Sequence, residues 1–138
     1  MDTLTKRKVN ELSYEVLGAV IEVHKHLGSG LLEKVYEKCL IHELQSRGFK
    51  VDFQKTIYVD YKGVIVDCDL RYDLLIEDTI LVELKAVSTM LPIFEAQLMS
   101  YMKLMEIPKG ILVNFHCTNI FKEGQKTFVN DFYRMLPD

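Results

Sequence analysis

Three charged residues lie next to the most hydrophobic stretch of the sequence. Asp73 precedes the apolar run Leu74–Ile76, and Glu83 and Lys85 follow the apolar run Ile80–Val82. A short polar segment separates the two runs, which is the pattern of a β-hairpin. The charged residues therefore lie at the open end of a predicted hairpin, where their side chains can act on one ligand.

Folding this hairpin brings the charged groups together. Because side chains alternate along a strand, Glu83 and Lys85 share one face, and Asp73 lies on the other arm of the hairpin. Two carboxylates and a lysine suit a hard divalent cation and an activated water. The alternative is a structural ion pair, but most such pairs are solvated. A carboxylate inside an apolar strand is costly unless it is paired or metal-bound, which favours the functional interpretation.

Two helices are predicted before the hairpin. Apolar residues recur at steps of three and four through residues 4–27, which indicates an amphipathic helix that ends at Gly28. A second helix is predicted over residues 31–46, with Ser29 as its N-cap. Glu33 falls in the first turn of that helix, where a carboxylate interacts favourably with the helix dipole. On local evidence alone, helix stability explains Glu33 better than a functional role does.

The rest of the sequence predicts a mixed sheet with one crossover helix. Three or four antiparallel strands are expected within residues 49–85, and the strand Ile80–Leu84 is apolar enough to be buried on both faces. A helix then runs from Pro92 to Met105. It is followed by a further buried strand, a C-terminal hairpin and a tail without a clear element, at residues 110–115, 120–129 and 131–138. This order predicts an α/β fold with a central mixed β-sheet flanked by helices.

Composition limits the classes of function. The 138 residues suit a single domain spanning 1–138, and 49% hydrophobic residues are enough to bury a core. The net charge of −3 excludes a polycationic nucleic-acid binder, so a nucleic acid would be met by a local patch or through bound metal. The three cysteines have no metal-site or disulfide spacing and fit reduced thiols. No segment approaches the about 18 apolar residues of a membrane span, so we expect a cytoplasmic protein without membrane contact.

The charged residues of the hairpin resemble a known nuclease motif. Asp73, followed after a turn by Glu83-Leu84-Lys85, is similar to the motif of the PD-(D/E)xK nuclease superfamily. The proline that the family has before its first aspartate is replaced here by Tyr72, a departure that removes no ligand. The resemblance implies a restriction-endonuclease-like fold.

Two further segments strengthen this resemblance. Gly30-Leu31-Leu32-Glu33-Lys34-Val35-Tyr36 matches the GxxExxY pattern that names one family within the superfamily. Gln97 and Tyr101 resemble a glutamine–tyrosine motif that some superfamily nucleases carry after the catalytic lysine. In all, the resemblance covers residues 4–129.

The resemblance implies a metal site. Asp73 and Glu83 would hold Mg²⁺ or Mn²⁺, together with the backbone carbonyl of Leu84. Glu33 would complete the carboxylate set, either directly or through water. These are oxygen ligands of the kind that both ions prefer.

The resemblance also implies roles in the reaction and in substrate binding. Lys85 would orient or deprotonate the attacking water and stabilise the charge that develops on the phosphate. Gln97, with Tyr101, would contact the substrate or brace the lysine. The implied catalytic residues are Glu33, Asp73, Glu83, Lys85 and Gln97.

The resulting hypothesis is a metal-dependent nuclease that hydrolyses phosphodiester bonds, with DNA rather than RNA as the expected substrate. A homodimer is one way for so small a domain to span a duplex. Two alternatives stay open. The first is a non-catalytic module that has the same fold and binds nucleic acid or protein. The second is an enzyme that acts on another phosphorylated substrate.

Two other groups of residues have ordinary explanations. His24 and His26 are two residues apart on a helix and point away from each other, and they suit a helix C-terminus better than a metal site. Tyr58 and Tyr61, which lie near two lysines, would stack on bases. An ordinary exposed strand face explains these tyrosines at least as well.

Overall fold

The computed structural model describes residues 3–138, which begin with two helices and continue into strands. The helices are α1 (Lys6–Leu27), α2 (Glu33–Ser46), α3 (Pro92–Met105) and the short α4 (Asp131–Arg134). The strands are β1 (Val51–Phe53), β2 (Thr56–Tyr61), β3 (Val64–Arg71), β4 (Leu74–Ile76), β5 (Ile80–Lys85), β6 (Lys109–Asn114) and β7 (Gln125–Val129). The predicted α/β fold class is confirmed by this order and is consistent with a restriction-endonuclease-like fold.

Five strands form a mixed sheet in the order β1-β4-β5-β6-β7. β5 and β6 are parallel and are joined by α3, as predicted, whereas the other neighbours are antiparallel. β2 and β3 pair only with each other and form a separate two-stranded ribbon, here called the β2–β3 ribbon. β1 and β2 are separate strands, because Gln54 between them adopts a left-handed conformation with φ 52°.

The predicted hairpin is formed by β4 and β5 around a two-residue turn. Glu77 and Asp78 have φ of 52° and 54°, and the Thr79 amide donates to the Ile76 carbonyl at 2.9 Å. Both central residues therefore have the left-handed conformation of a type I′ turn, which usually requires Asn or Gly. Lys50 supports the turn, since its amide donates to Glu77 Oε2 at 2.7 Å and its Nζ to Asp78 Oδ2 at 3.0 Å.

Strand β5 is buried on both faces of the sheet, as its apolar sequence predicts. Ile80, Val82 and Leu84 belong to a core that includes the buried faces of α1 and α2. Leu81 belongs to a second core that includes Leu98 of α3. Because the strand period is two, these two sets of side chains occupy opposite faces. The five-stranded sheet is thus covered by helices on both sides.

Helix α3 approaches the sheet closely at Gly110 of β6. A Cβ atom at Gly110 would lie 2.6 Å from Met102 Sδ and 2.9 Å from Leu98 Cδ1. Glycine therefore lets the helix pack directly against the strand. This contact fixes the position of α3, which carries the predicted glutamine–tyrosine pair.

Helix α2 begins later than expected. Its first residue is Glu33, and the preceding Leu32 occupies the N-cap position without a side-chain hydrogen bond. Ser29 is therefore not the N-cap, and that prediction is wrong. Gly30, with φ 98°, keeps the chain out of the helical conformation until after the turn between α1 and α2.

The C-terminal region differs from the predicted hairpin. Residues Ile120–Gly124 form a π-helical turn instead of a strand, and the side chain of Asn119 caps this turn by accepting from the Lys122 amide at 3.0 Å. β7 is formed as expected, but it pairs with β6. The tail contains α4, for which Asn130 is the N-cap.

Among residues 3–138, no helix combines the length and the apolar character needed to cross a membrane.

Candidate active site

Asp73 and Glu83 face each other at the open end of the β4–β5 hairpin. The pairing of Leu74 with Val82 places the next two residues, Asp73 and Glu83, opposite each other. The Asp73 amide donates to Glu83 Oε2 at 2.7 Å, and the Leu84 amide donates to Asp73 Oδ2 at 2.8 Å. Each carboxylate is thus held by the backbone of the other strand, and Glu83 is only 8% exposed.

The surroundings raise the pKa of both carboxyls. Burial, and then the nearby charge of Asp73, raise the pKa of Glu83 from 4.5 to about 8, against smaller effects of the Asp73 amide and Lys85. Burial also raises the pKa of Asp73, although hydrogen bonds from the Leu84 amide and Gln54 lower it. The charged forms are therefore poorly stabilised by protein groups alone.

Glu33 belongs to the same electrostatic group. It is the first residue of α2 and is half-buried. Burial raises its pKa, and the charge of Asp73 raises it further, whereas Lys85 lowers it. The structure thus brings together Glu33, Asp73, Glu83 and Lys85, which come from three separate parts of the sequence.

Tyr36 fixes the loop that leads to Glu33. Its hydroxyl donates to the Gly28 carbonyl at 2.6 Å and accepts from the Leu31 amide at 3.2 Å. Its ring is fully buried and stacks on Phe115 with 4.3 Å between the ring centroids. Within the GxxExxY segment, the tyrosine therefore has a structural task, which is to hold the start of α2 and its glutamate against the sheet.

Lys85 is the last residue of β5, and its backbone is fixed by β6. It pairs with Asn114, and the Phe115 amide donates to its carbonyl at 2.9 Å. Asn114 also bonds the backbone of Val87 on both sides, accepting from its amide at 3.1 Å and donating to its carbonyl at 2.9 Å. The ammonium of Lys85 lies 4.4 Å from the centroid of the Phe94 ring, a favourable place for a cation.

Gln97 and Tyr101 bond to each other on α3. Gln97 Nε2 donates to the Tyr101 hydroxyl at 2.8 Å. Gln97 is exposed, whereas Tyr101 is only 7% exposed and belongs to the core between α3 and the sheet. Gln97 follows Phe94, whose ring faces Lys85, by about one helical turn. Among the described residues, however, no hydrogen bond joins Gln97 to the carboxylate group.

Two residues of this site were not predicted from the sequence. Glu37, one turn after Glu33 on α2, is only 6% exposed, and burial raises its pKa. Gln54 donates through Nε2 to Glu37 Oε2 at 2.9 Å and to Asp73 Oδ1 at 3.2 Å. The spacing of four between Glu33 and Glu37 was the available signal for the first of them. No sequence signal indicated Gln54, because its position depends on the break between two strands.

The donor chemistry at this end of the sheet fits a hard divalent cation. Lys85 interacts with three of the carboxylates, those of Glu33, Asp73 and Glu83, whereas Lys34 and Lys38 act on Glu37. The pKa of each of these four carboxyls is raised, with burial as the largest cause. A bound cation would offset this poorly solvated negative charge. Among residues 3–138, no three His, Cys, Asp or Glu side chains already surround one ion position. One oxygen of Asp73 and one of Glu83 accept backbone hydrogen bonds in this conformation.

The remaining candidates lie outside this group. His24 belongs to the last turn of α1, and its Nε2 lies 2.9 Å from the Cys117 carbonyl oxygen. Tyr58 and Tyr61 are 59% and 62% exposed on the β2–β3 ribbon, so their side chains are available to a ligand.

The fold and the site together define a small α/β protein with buried carboxylates and a lysine at the end of its central strand. A family model described as the PD-(D/E)XK nuclease superfamily matches residues 10–128. This match covers most of the 138 residues, and the chain belongs to that superfamily. The narrower assignment to the GxxExxY family stays a prediction. No curated protein and no solved structure matches the chain.

Proposed function

We propose that this chain is a metal-dependent nuclease that hydrolyses phosphodiester bonds of DNA or RNA. The observation that carries the proposal is the convergence of Glu33, Asp73, Glu83 and Lys85 at one end of β5 in a chain of a nuclease superfamily. Burial raises the pKa of all three carboxyls, so their placement opposes folding instead of supporting it. A functional demand accounts for such an arrangement better than a structural one.

Asp73, Glu83 and the Leu84 carbonyl would hold Mg²⁺ or Mn²⁺, with Glu33 joining directly or through water. Nucleases of this superfamily generally use divalent metals. When bound, such an ion makes a water more acidic and offsets negative charge on the phosphate. The backbone amides of Asp73 and Leu84 already hold the carboxylates of Glu83 and Asp73, which would be its ligands.

Lys85 would act on the attacking water and on the phosphate. Its ammonium lies over the ring of Phe94, next to the carboxylates whose pKa it lowers. From there Lys85 Nζ would orient or deprotonate the water and stabilise the charge that develops on the phosphate oxygens. Gln97 would contact the substrate from the exposed face of α3, with its amide held by the Tyr101 hydroxyl.

DNA is the proposed substrate ahead of RNA, and this choice rests on the resemblance to the superfamily. A net charge of −3 means that nucleic acid must be held by a local surface. The exposed Tyr58 and Tyr61 supply aromatic rings for base stacking on the β2–β3 ribbon, whose strand β3 ends at Arg71, two residues before Asp73. A homodimer and a cytoplasmic location stay predictions.

The test is a cleavage assay on single- and double-stranded DNA and RNA with Mg²⁺ or Mn²⁺. We expect cleavage by the unmodified protein and at least a ~100-fold loss in Glu83→Gln and in Lys85→Met, in line with the removal of one charge-stabilising group. Lys103→Met serves as the matched control, because Lys103 is an exposed lysine of α3. EDTA should abolish cleavage by the unmodified protein.

Cleavage that persists in both site variants would show that the activity comes from elsewhere. Calorimetric titration with Mn²⁺ separates the nuclease from a non-catalytic module. Absence of metal binding, together with measurable affinity for nucleic acid, would favour the module.

A further inference from the structure

Gln54 contacts Asp73 at two separate points. Its backbone amide donates to the Asp73 carbonyl at 3.0 Å, and its side-chain Nε2 donates to Asp73 Oδ1 at 3.2 Å. The other carboxylate oxygen, Asp73 Oδ2, accepts from the Leu84 amide. Both oxygens of Asp73 are therefore directed by neighbouring groups, and Gln54 is the only side chain among the described residues that bonds to them.

Glu37 determines how the amide of Gln54 is oriented. An NH₂ group has two hydrogens to donate, and in Gln54 they face Asp73 Oδ1 and Glu37 Oε2, the second at 2.9 Å. An ionised carboxylate only accepts hydrogen bonds, so two ionised partners select the NH₂ group of Gln54 at this position and not its amide oxygen. Glu37 is only 6% exposed and comes from α2, so the bridge connects this helix to the residue just before β4.

The backbone conformation of Gln54 is also unusual. Gln54 adopts φ 52°, a conformation that is uncommon for residues other than glycine. Its position between β1 and β2 directs the side chain toward Asp73 and Glu37, which are far apart in the sequence. A residue held in this conformation while making both contacts indicates a role in the geometry of the site beyond packing alone.

We propose that Gln54 is a positioning residue for Asp73, and that Glu37 acts through Gln54 instead of binding the metal itself. The inference rests on the proposed function where it treats Asp73 as a metal ligand. Residues that orient a ligand in this way typically change metal affinity about 10–100-fold when they are replaced. The bridge predicts that the effect of Glu37 depends on Gln54.

The test uses variants of the full chain and direct titration with Mn²⁺. Gln54→Met keeps the length of the side chain without its donors. We expect this variant to bind Mn²⁺ with a Kd that is roughly 10–100-fold higher. Glu37→Gln and Glu37→Leu both remove the charge, but only the glutamine keeps an oxygen that accepts from Gln54. Glu37→Leu should therefore bind Mn²⁺ at least about 5-fold more weakly than Glu37→Gln, as expected for the loss of one hydrogen bond.

Double variants of Gln54 and Glu37 show whether Glu37 acts through Gln54 or binds the metal directly. In a Gln54→Met background, Glu37→Gln and Glu37→Leu should give equal affinities, because no donor remains for the oxygen to accept from. If Glu37 is itself a ligand, its two variants lose affinity whether or not Gln54 is present. That result would overturn the proposal, as would an unchanged Kd in Gln54→Met.

A readout without metal keeps the proposal testable if the proposed function fails. Hydrogen exchange of the Leu84 amide, which bonds Asp73 Oδ2, is measured in the metal-free protein. Gln54→Met should accelerate this exchange at least about 5-fold, whereas exchange of the buried Val113 in β6 should not change. Faster exchange without Mn²⁺ binding by the unmodified protein would support the bridge and contradict the nuclease. Unchanged exchange at Leu84 would overturn the bridge.

Discussion

Replacement of Glu83 by glutamine should stabilise the metal-free protein. The buried carboxyl of Glu83 has a pKa of about 8, compared with 4.5 in an exposed state. Each pH unit of such a difference corresponds to about 1.4 kcal/mol, so ionisation of Glu83 opposes folding by up to about 5 kcal/mol at pH 8. Glutamine keeps the oxygen that accepts from the Asp73 amide but cannot ionise. We therefore expect Glu83→Gln to gain about 2–5 kcal/mol at pH 8.

The gain should depend on pH in a defined way. Below pH 4.5 the glutamate is protonated in both the folded and the unfolded chain, so the variant and the unmodified protein should be equally stable. Between pH 4.5 and about 8 only the unfolded chain releases the proton, and the folded state binds more protons than the unfolded state. The free energy of unfolding of the unmodified protein therefore falls as the pH rises through this range, relative to the variant. Above about pH 8 the difference should be constant.

The assay is urea unfolding followed by circular dichroism at pH 4, 6 and 8 in the presence of EDTA. Glu15→Gln is the matched control, since Glu15 is exposed on α1 and its replacement should change stability by less than about 0.5 kcal/mol at every pH. Equal stability of Glu83→Gln and the unmodified protein at pH 8 would refute the reasoning. So would a gain that has the same size at pH 4 and pH 8, because packing instead of ionisation would then be its cause.

Two other predictions concern the groups that support the site. Tyr36→Phe should keep the stacking on Phe115 but lose both hydrogen bonds of the hydroxyl, which lowers the free energy of unfolding by about 1–2 kcal/mol in a urea titration. Unchanged stability would mean that the hydroxyl does not hold the start of α2. Gly110→Ala should destabilise the protein by about 1–3 kcal/mol through overpacking against Met102. Combined with Met102→Ala, the total loss should be smaller than the two separate losses together, and strict additivity would contradict the clash.

The part of the site that could be predicted from sequence is the part that depends on local geometry. Asp73 and Glu83 lie across one short hairpin, so strand alternation and the turn are enough to place them opposite each other. Lys85 follows on the same strand. Glu33 required the motif, because nothing in its own helix indicates which end of the sheet that helix approaches.

The part that could not be predicted depends on packing between distant elements. Glu37 lies on the buried side of α2, but a helical pattern alone also fits an exposed glutamate there. Gln54 reaches the site only because the chain leaves β1 in a left-handed conformation and enters a separate ribbon. The π-helical turn Ile120–Gly124 was missed for a related reason, since its β-branched and aromatic residues, Ile120 and Phe121, suit a strand until the Asn119 cap is known.

The sequence allows two interpretations of Asp73, Glu83 and Lys85, namely a structural ion pair and a functional site. Whether Glu83→Gln stabilises or destabilises the protein decides between them. In a structural ion pair, Lys85 would lower the pKa of Glu83, and neutralisation of Glu83 would destabilise the fold. In this structure burial outweighs the effect of Lys85, and neutralisation should stabilise the fold. Rigid neighbours hold the carboxylates in place despite this cost, namely the β4–β5 turn and the loop fixed by Tyr36. A variant that is more stable yet inactive would therefore show that Glu83 is retained for chemistry at the expense of stability.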